Sequence, residues 1–116
     1  MLRDEWYYNM RFKDDMKGVT PILTAIPPDN TRGTKAAKEH PGRPEHMAWA
    51  YDRADGGRGF GFTGGHSHDH WGNDDERKVV LNALVWLAKL EVPTNGVEST
   101  VTKQDLDQNL DPKGKK

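Results

Sequence analysis

Residues 58–90, RGFGFTGGHSHDHWGNDDERKVVLNALVWLAKL, decide how the chain is read. Phe60 and Phe62 alternate with Gly59 and Gly61, which predicts a half-buried strand with one bulky face and one bare face. Gly64 and Gly65 end that strand, and His66, Ser67, His68, Asp69, His70 and Trp71 form a polar loop. Asn73 reads as a helix N-cap with Glu76 three residues on, a variant of the capping box. Asp74 and Asp75 fall in the first turn, where negative charge suits the helix dipole. From Val79 to Leu90 the pattern is apolar nearly all round, with Lys78, Asn82 and Lys89 as a thin polar stripe. Such a helix has to be covered on most sides, and Trp86 in its middle reads as core. Strand, glycine break, polar loop and capped helix together place side chains at the carboxyl end of a strand in an α/β sheet.

The rest of the chain supplies little to cover that helix. Only 34% of the 116 residues are hydrophobic, and the apolar mass is confined to residues 19–26, 47–51, 60–62 and 79–92. That is a thin core for the length, and it leads us to expect a fragment or a chain that leans on a partner. The net charge of -1 gives no reason to expect nucleic-acid binding. The absence of cysteine excludes disulfides, a Cys nucleophile and thiolate metal sites. No leader and no membrane span are recognisable, which leaves the compartment undetermined.

Residues 4–12, DEWYYNMRF, read as a first strand with an acidic start. Residues 19–26 read as a second, with Pro21 near its start marking an edge or a late entry. Residues 29–46 are polar and punctuated by Gly and Pro, the composition of a surface loop. Met47, Trp49 and Tyr51 alternate with alanines in a third strand, and Asp55-Gly56-Gly57 turns the chain into the Phe60/Phe62 strand. Beyond Pro93 the chain is polar, with one short helical turn around residues 103–109.

Three motif matches fail on inspection. Arg58-Gly59-Phe60-Gly61-Phe62 begins like the RNA-recognition octamer, but Thr63 and Gly65 then replace its aliphatic and last aromatic residues. Gly59, Gly61 and Gly64 match the dinucleotide fingerprint as text, yet they lie within a strand rather than in the turn that opens a helix. His66, His68, Asp69 and His70 approximate a metallo-β-lactamase run one residue short. Histidines two apart on an extended segment would point the same way and could meet a zinc ion, but a loop turning at Gly64-Gly65 and at Gly72 does not stay extended. No metal and no cofactor are expected.

Taken in order, four segments resemble the C-terminal part of the ThuA-like (trehalose-utilisation) family, of the class I glutamine-amidotransferase-like superfamily. They are Asp4-Glu5-Trp6-Tyr7; the strand at 19–26; MAWAYDRADGGRGFGFT, with Met47-Ala48 where the family has Pro-Val; and Gly65-His66 with Trp71, Leu81-Asn82-Ala83 and Trp86. The resemblance covers residues 4–93. It implies an α/β fold, the C-terminal portion of a flavodoxin-like sandwich with about four short strands and one long C-terminal helix. Residues 1–93 would be the domain part and 94–116 a polar tail, with the family's first strands absent. It implies a role in trehalose or keto-sugar utilisation, with a small sugar as ligand and no membrane association. A sugar dehydrogenase, the N-terminal half or a second copy would be the protein partner.

The resemblance makes Glu5 and His66 the candidate catalytic pair, converging on a cleft where a carboxylate can hold the tautomer of an imidazole for acid–base work on a hydroxyl or a keto-sugar α-proton. Asp4, Tyr7, His68 and Trp71 are the candidate substrate-binding residues. His66 is expected to be the partly buried histidine of the loop. A non-catalytic carbohydrate- or protein-binding module remains the alternative, and an RNA-binding module a distant third.

Overall fold

The computed structural model describes residues 3–108 and 110. Its centre is a three-stranded antiparallel sheet in the order β1 (Val19–Ala25), β2 (Glu45–Asp52), β3 (Arg58–Phe62). Three helices accompany it: α1 (Lys35–Lys38), α2 (Asp74–Leu87) and α3 (Lys103–Asp107). Short 3-10 turns span Asp29–Thr31 and His68–Gly72. The architecture is mixed α/β.

The β2–β3 hairpin is built on complementary side-chain sizes. Across the ladder Ala48 faces Phe62, Trp49 faces Gly61, Ala50 faces Phe60 and Tyr51 faces Gly59. Each of these four pairs sets one aromatic ring against one small residue, so both faces close without overlap. The bare face of β3 is therefore occupied. A Cβ on Gly61 would overlap the Trp49 indole, and one on Gly59 would touch Tyr51. This is the arrangement in which aromatic rings cover strand glycines. Phe12 adds an edge-to-face contact on Trp49 at 5.1 Å. The turn between the strands uses Gly56 at a φ of 81°, and the Asp55 carboxylate accepts from the Gly57 amide at 2.9 Å.

β1 lies at one edge, as Pro21 suggests, and its register with β2 shifts between Pro21 and Thr24. Residues 4–12 do not form a fourth strand. Asn9 takes a φ of 62°, which breaks an extended run, and the Tyr7 amide makes only a long 3.4 Å bond to the Thr63 carbonyl. The segment is held at its ends by side chains instead: Asp4 on the loop after β3, and the Glu45 carboxylate on the Asn9 amide at 2.9 Å.

α2 packs against the Phe60/Phe62 face. The Arg58 guanidinium lies over the Trp86 ring at 4.7 Å and donates to the Trp86 carbonyl at 2.7 Å. Trp86 is thus half-buried under an arginine rather than enclosed in a core. The polar stripe of α2 is covered by the chain that follows it. Asn82 accepts from the Val97 amide at 2.7 Å, and Arg77 donates to Ser99 Oγ and to the Ser99 carbonyl, each at 3.0 Å. Residues 97–99 are therefore strapped to the helix rather than forming a free tail.

The buried hydrophobic residues among those described are Ala37, Met47, Ala48 and Ala83, while Ile22, Ile26, Leu84 and Leu90 are exposed. Residues 29–46, expected as a surface loop, instead hold the 29–31 turn, α1 and the start of β2, and carry a buried ionic brace. Arg32, 1% exposed, donates to the Arg43 carbonyl at 3.1 Å and to Glu45 at 3.3 Å and pairs with Asp29, and Arg43 donates to Glu45 at 2.8 Å. Burial by itself would raise the Glu45 carboxyl, but bonds from Arg43, Asn9 and Arg32 outweigh it and hold it below its ordinary value.

Because the hairpin depends on the bare face of Gly61, Gly61→Ala is expected to lower stability by about 1–3 kcal/mol through overpacking against Trp49. Gly33→Ala, at a position with nothing within 4 Å, is the control and should leave the urea midpoint within about 0.5 kcal/mol of the parent. Equal midpoints for the two variants would refute the pairing argument.

Candidate functional site

The candidate site is assembled around the loop that leaves β3. Gly65 takes a φ of 77°, which turns three successive amides toward one point. The Asp4 carboxylate occupies that point. It accepts from the amides of Gly65 at 2.8 Å, His66 at 3.1 Å and Ser67 at 3.3 Å, and from its own neighbour Glu5 at 2.8 Å. His70 Nδ1 approaches it at 3.3 Å. Burial alone would raise the Asp4 carboxyl, but the bonds from Glu5, His70, Ser67 and His66 overcome it and lower it to about 2. The Asp4 side chain is 0% exposed, so it offers a substrate no free oxygen. Its geometry is that of a clamp on the loop, not of a ligand-binding group.

Glu5 and His66, brought together by that clamp, lie 3.3 Å apart between Oε2 and Nε2. Both are solvent-facing, with side chains 69% and 48% exposed. The more buried histidine of the loop is His70, at 23%, and not His66. The turn at Gly65 directs the 66 side chain outward and folds the 68–72 turn back over Asp4. Glu5 also belongs to the wall of an open cleft of about 900 Å³, between residues 3–9 on one side and residues 25–34 on the other. Tyr7 lies on the same wall and is 56% exposed.

His68 and Trp71 sit elsewhere. The His68 ring bonds the Leu106 carbonyl at 2.8 Å and so holds α3 against the loop. Trp71 is half-buried beneath the loop: a Cβ on Gly65 would come within 2.8 Å of its ring, and its carbonyl accepts from Arg77 at 2.8 Å. It packs under the site and does not present an open platform. Among the described residues no group of three or more His, Asp or Glu is placed to hold a metal ion, and no helix is long and apolar enough to cross a membrane.

Glu76 is the residue that sequence reasoning misplaced. Asn73 does cap α2, accepting from the Glu76 amide at 3.0 Å. The reciprocal half of the capping box is missing, because the Asn73 amide donates to the His70 carbonyl at 2.8 Å. The Glu76 side chain turns inward, 7% exposed, and neither carboxyl oxygen has a hydrogen-bond partner. Burial raises its pKa, the Asp4 charge raises it further, and His70 opposes.

Comparison with family models, with curated proteins and with solved structures finds no match to this chain.

The clamp makes a pH prediction. Asp4 has a depressed folded pKa, so its stabilisation is fully present above its ordinary 3.8 and is lost as pH falls toward about 2. Asp4→Asn should cost about 2 kcal/mol at neutral pH and should flatten stability against pH in that acid window. Hydrogen exchange at the amides of Gly65, His66 and Ser67 should accelerate together. Unchanged exchange at those three amides would show that Asp4 does not hold the loop.

Proposed function

We propose that the chain serves carbohydrate utilisation, as a ThuA-like domain part whose Glu5–His66 pair works on a small sugar or keto-sugar at the mouth of the residue 3–9 cleft. The finer fold reading, a flavodoxin-like sandwich of which this is the C-terminal portion, belongs to the same proposal. The observation that carries it is the 3.3 Å approach of a carboxylate to an imidazole beside an open cleft bearing Tyr7. The contact is solvent-exposed, and a contact of this kind contributes only about 0–1 kcal/mol to stability. An imidazole whose Nε2 faces a carboxylate can pass a proton between a substrate carbon or hydroxyl and solvent. Tyr7 supplies an aromatic face for the apolar side of a sugar ring.

A second reading, a non-catalytic carbohydrate- or protein-binding module, is favoured by the exposed Ile22, Ile26, Leu84 and Leu90. A sugar dehydrogenase, an N-terminal half-domain or a second copy would be the partner. The RNA-binding reading is disfavoured, because Phe60 and Phe62 turn toward α2 and not toward an open sheet face.

The test is exchange of the α-proton of a keto-sugar in heavy water, followed by NMR. Wild-type protein should accelerate it. Glu5→Gln and His66→Ala should each slow the catalysed exchange by roughly 10²-fold while leaving the urea midpoint unchanged. Sugar binding without exchange in the wild type would move the assignment to the non-catalytic module.

A further inference from the structure

Residues 11–17 and the Trp49/Tyr51 face of the hairpin border a groove of about 420 Å³. Its floor is aromatic. Trp49 and Tyr51 alternate with Ala48 and Ala50 along β2, so their rings stand on the face opposite Phe60, Phe62 and α2. The Trp49 indole lies against the bare backbone of Gly61, where a Cβ would come within 2.2 Å of it. Phe12 stands at 87° to the indole as a side wall.

The rim of this groove carries one sign of charge. Arg11, Lys13 and Lys17 line it, and no acidic residue does. All three are exposed, and none of them makes an ion pair among the described residues. Asp14 and Asp15 lie outside the lining, and Asp15 is turned onto its own loop, where it accepts from the Lys17 amide at 3.0 Å. Asp52, at the end of β2, faces Arg58 at 3.9 Å. The whole chain has a net charge of -1, so three cations round one concave surface are a local feature and not a consequence of composition. Like charges gathered in this way raise the local concentration of anions.

Floor and rim together define a ligand. An aromatic floor packs against the C–H face of a sugar ring, while guanidinium and ammonium groups bond phosphate oxygens through charge-assisted hydrogen bonds. The volume is near the lower end of what ligand pockets occupy, which suits one ring and one phosphate. We propose that this groove binds a hexose monophosphate, with the ring over Trp49 and the phosphate among Arg11, Lys13 and Lys17. The proposal rests on the carbohydrate reading above and adds to it a phosphorylated ligand and a second site. That site shares no lining residue with the Glu5 cleft. An unphosphorylated sugar would leave the rim cations unused, and inorganic phosphate would leave the aromatic floor unused.

The experiment uses the full chain and follows the NMR signals of the Trp49 indole N–H and the Gly61 amide, which belong to this groove and not to the Glu5 cleft. D-glucose 6-phosphate, D-glucose, inorganic phosphate and AMP are titrated in parallel. The wild type should give a saturable shift with D-glucose 6-phosphate, about tenfold tighter than with D-glucose or inorganic phosphate, and tighter than with AMP. The double variant Lys13→Gln/Lys17→Gln should weaken it by about tenfold with an unchanged urea midpoint, because neither side chain has a partner in the fold among the described residues. Lys38→Gln, an exposed position on α1 outside the groove, should bind as the wild type does. An equal response to inorganic phosphate shows an ion patch only and overturns the proposal. So does an equal response to D-glucose, a tighter response to AMP, or a shift that survives the double variant. No response at Trp49 and Gly61 also overturns it; the carbohydrate reading then stands if the wild type still exchanges the keto-sugar α-proton, and falls with it if not.

Discussion

The Asp4 carboxylate is the interaction on which the rest of the site depends. It collects amides from Gly65, His66 and Ser67, more than sixty residues away along the chain, by hydrogen bonds of 2.8, 3.1 and 3.3 Å. Successive amides converging on one anion form the concavity that elsewhere binds phosphate or sulfate. Here the anion is part of the protein. The clamp fixes the exit path of β3, the orientation of the 68–72 turn and the start of α2. It also pins residues 3–9 along the cleft, although that segment has almost no backbone pairing of its own. A charge-assisted contact of this kind does work that a strand ladder does in a larger sheet.

The sheet obeys a second constraint, one of volume. Four consecutive pairs of β2 and β3 each match an aromatic ring with Ala or Gly. Neither strand has an ordinary β composition by itself; the two are complementary. A side chain added to Gly61 would meet the Trp49 ring, and one removed from Trp49 would uncover the backbone of β3. This explains why so small a set of buried hydrophobic residues accompanies an ordered hairpin: the aromatic rings are half-buried, and each covers its neighbour.

The hairpin, the N-cap of α2 and the edge position of β1 were legible in the sequence, because each rests on contacts close along the chain or on alternation within one element. The turn at Asp55-Gly56-Gly57 and the Asn73 cap are local chemistry. What was not legible is what joins distant segments. DEWYYNMRF has strand composition, yet Asn9 in a left-handed conformation and two side-chain anchors make it an irregular strap. Arg32 and Glu45 lie in a stretch whose composition reads as surface, and only their mutual pairing buries them. Glu5 was the candidate catalytic carboxylate and Asp4 a candidate substrate-binding one, and nothing in the letters tells which of them turns inward. His66 and His70 exchange their expected burial for the same reason. The helix stripe of Lys78 and Asn82 reads as solvent-facing until residues 97–99 fold across it. The proposed sugar role rests on the resemblance and on the Glu5–His66 approach, and on nothing that periodicity could supply.

The two inward carboxylates of the site show how one loop sets opposite fates for the same chemical group. Asp4 and Glu76 are both removed from water, and burial pushes both toward the protonated form. Asp4 escapes because the loop aims its amides at it, while Glu76, one turn into α2, receives none. The satisfied carboxylate then acts on the unsatisfied one, since its charge adds to the burial that keeps the Glu76 proton in place. The two carboxyls are therefore coupled through electrostatics, while Gly65 is left-handed for Asp4 and bare for the Trp71 ring. Any change that displaces the Asp4 charge removes one of the two influences that raise the Glu76 pKa.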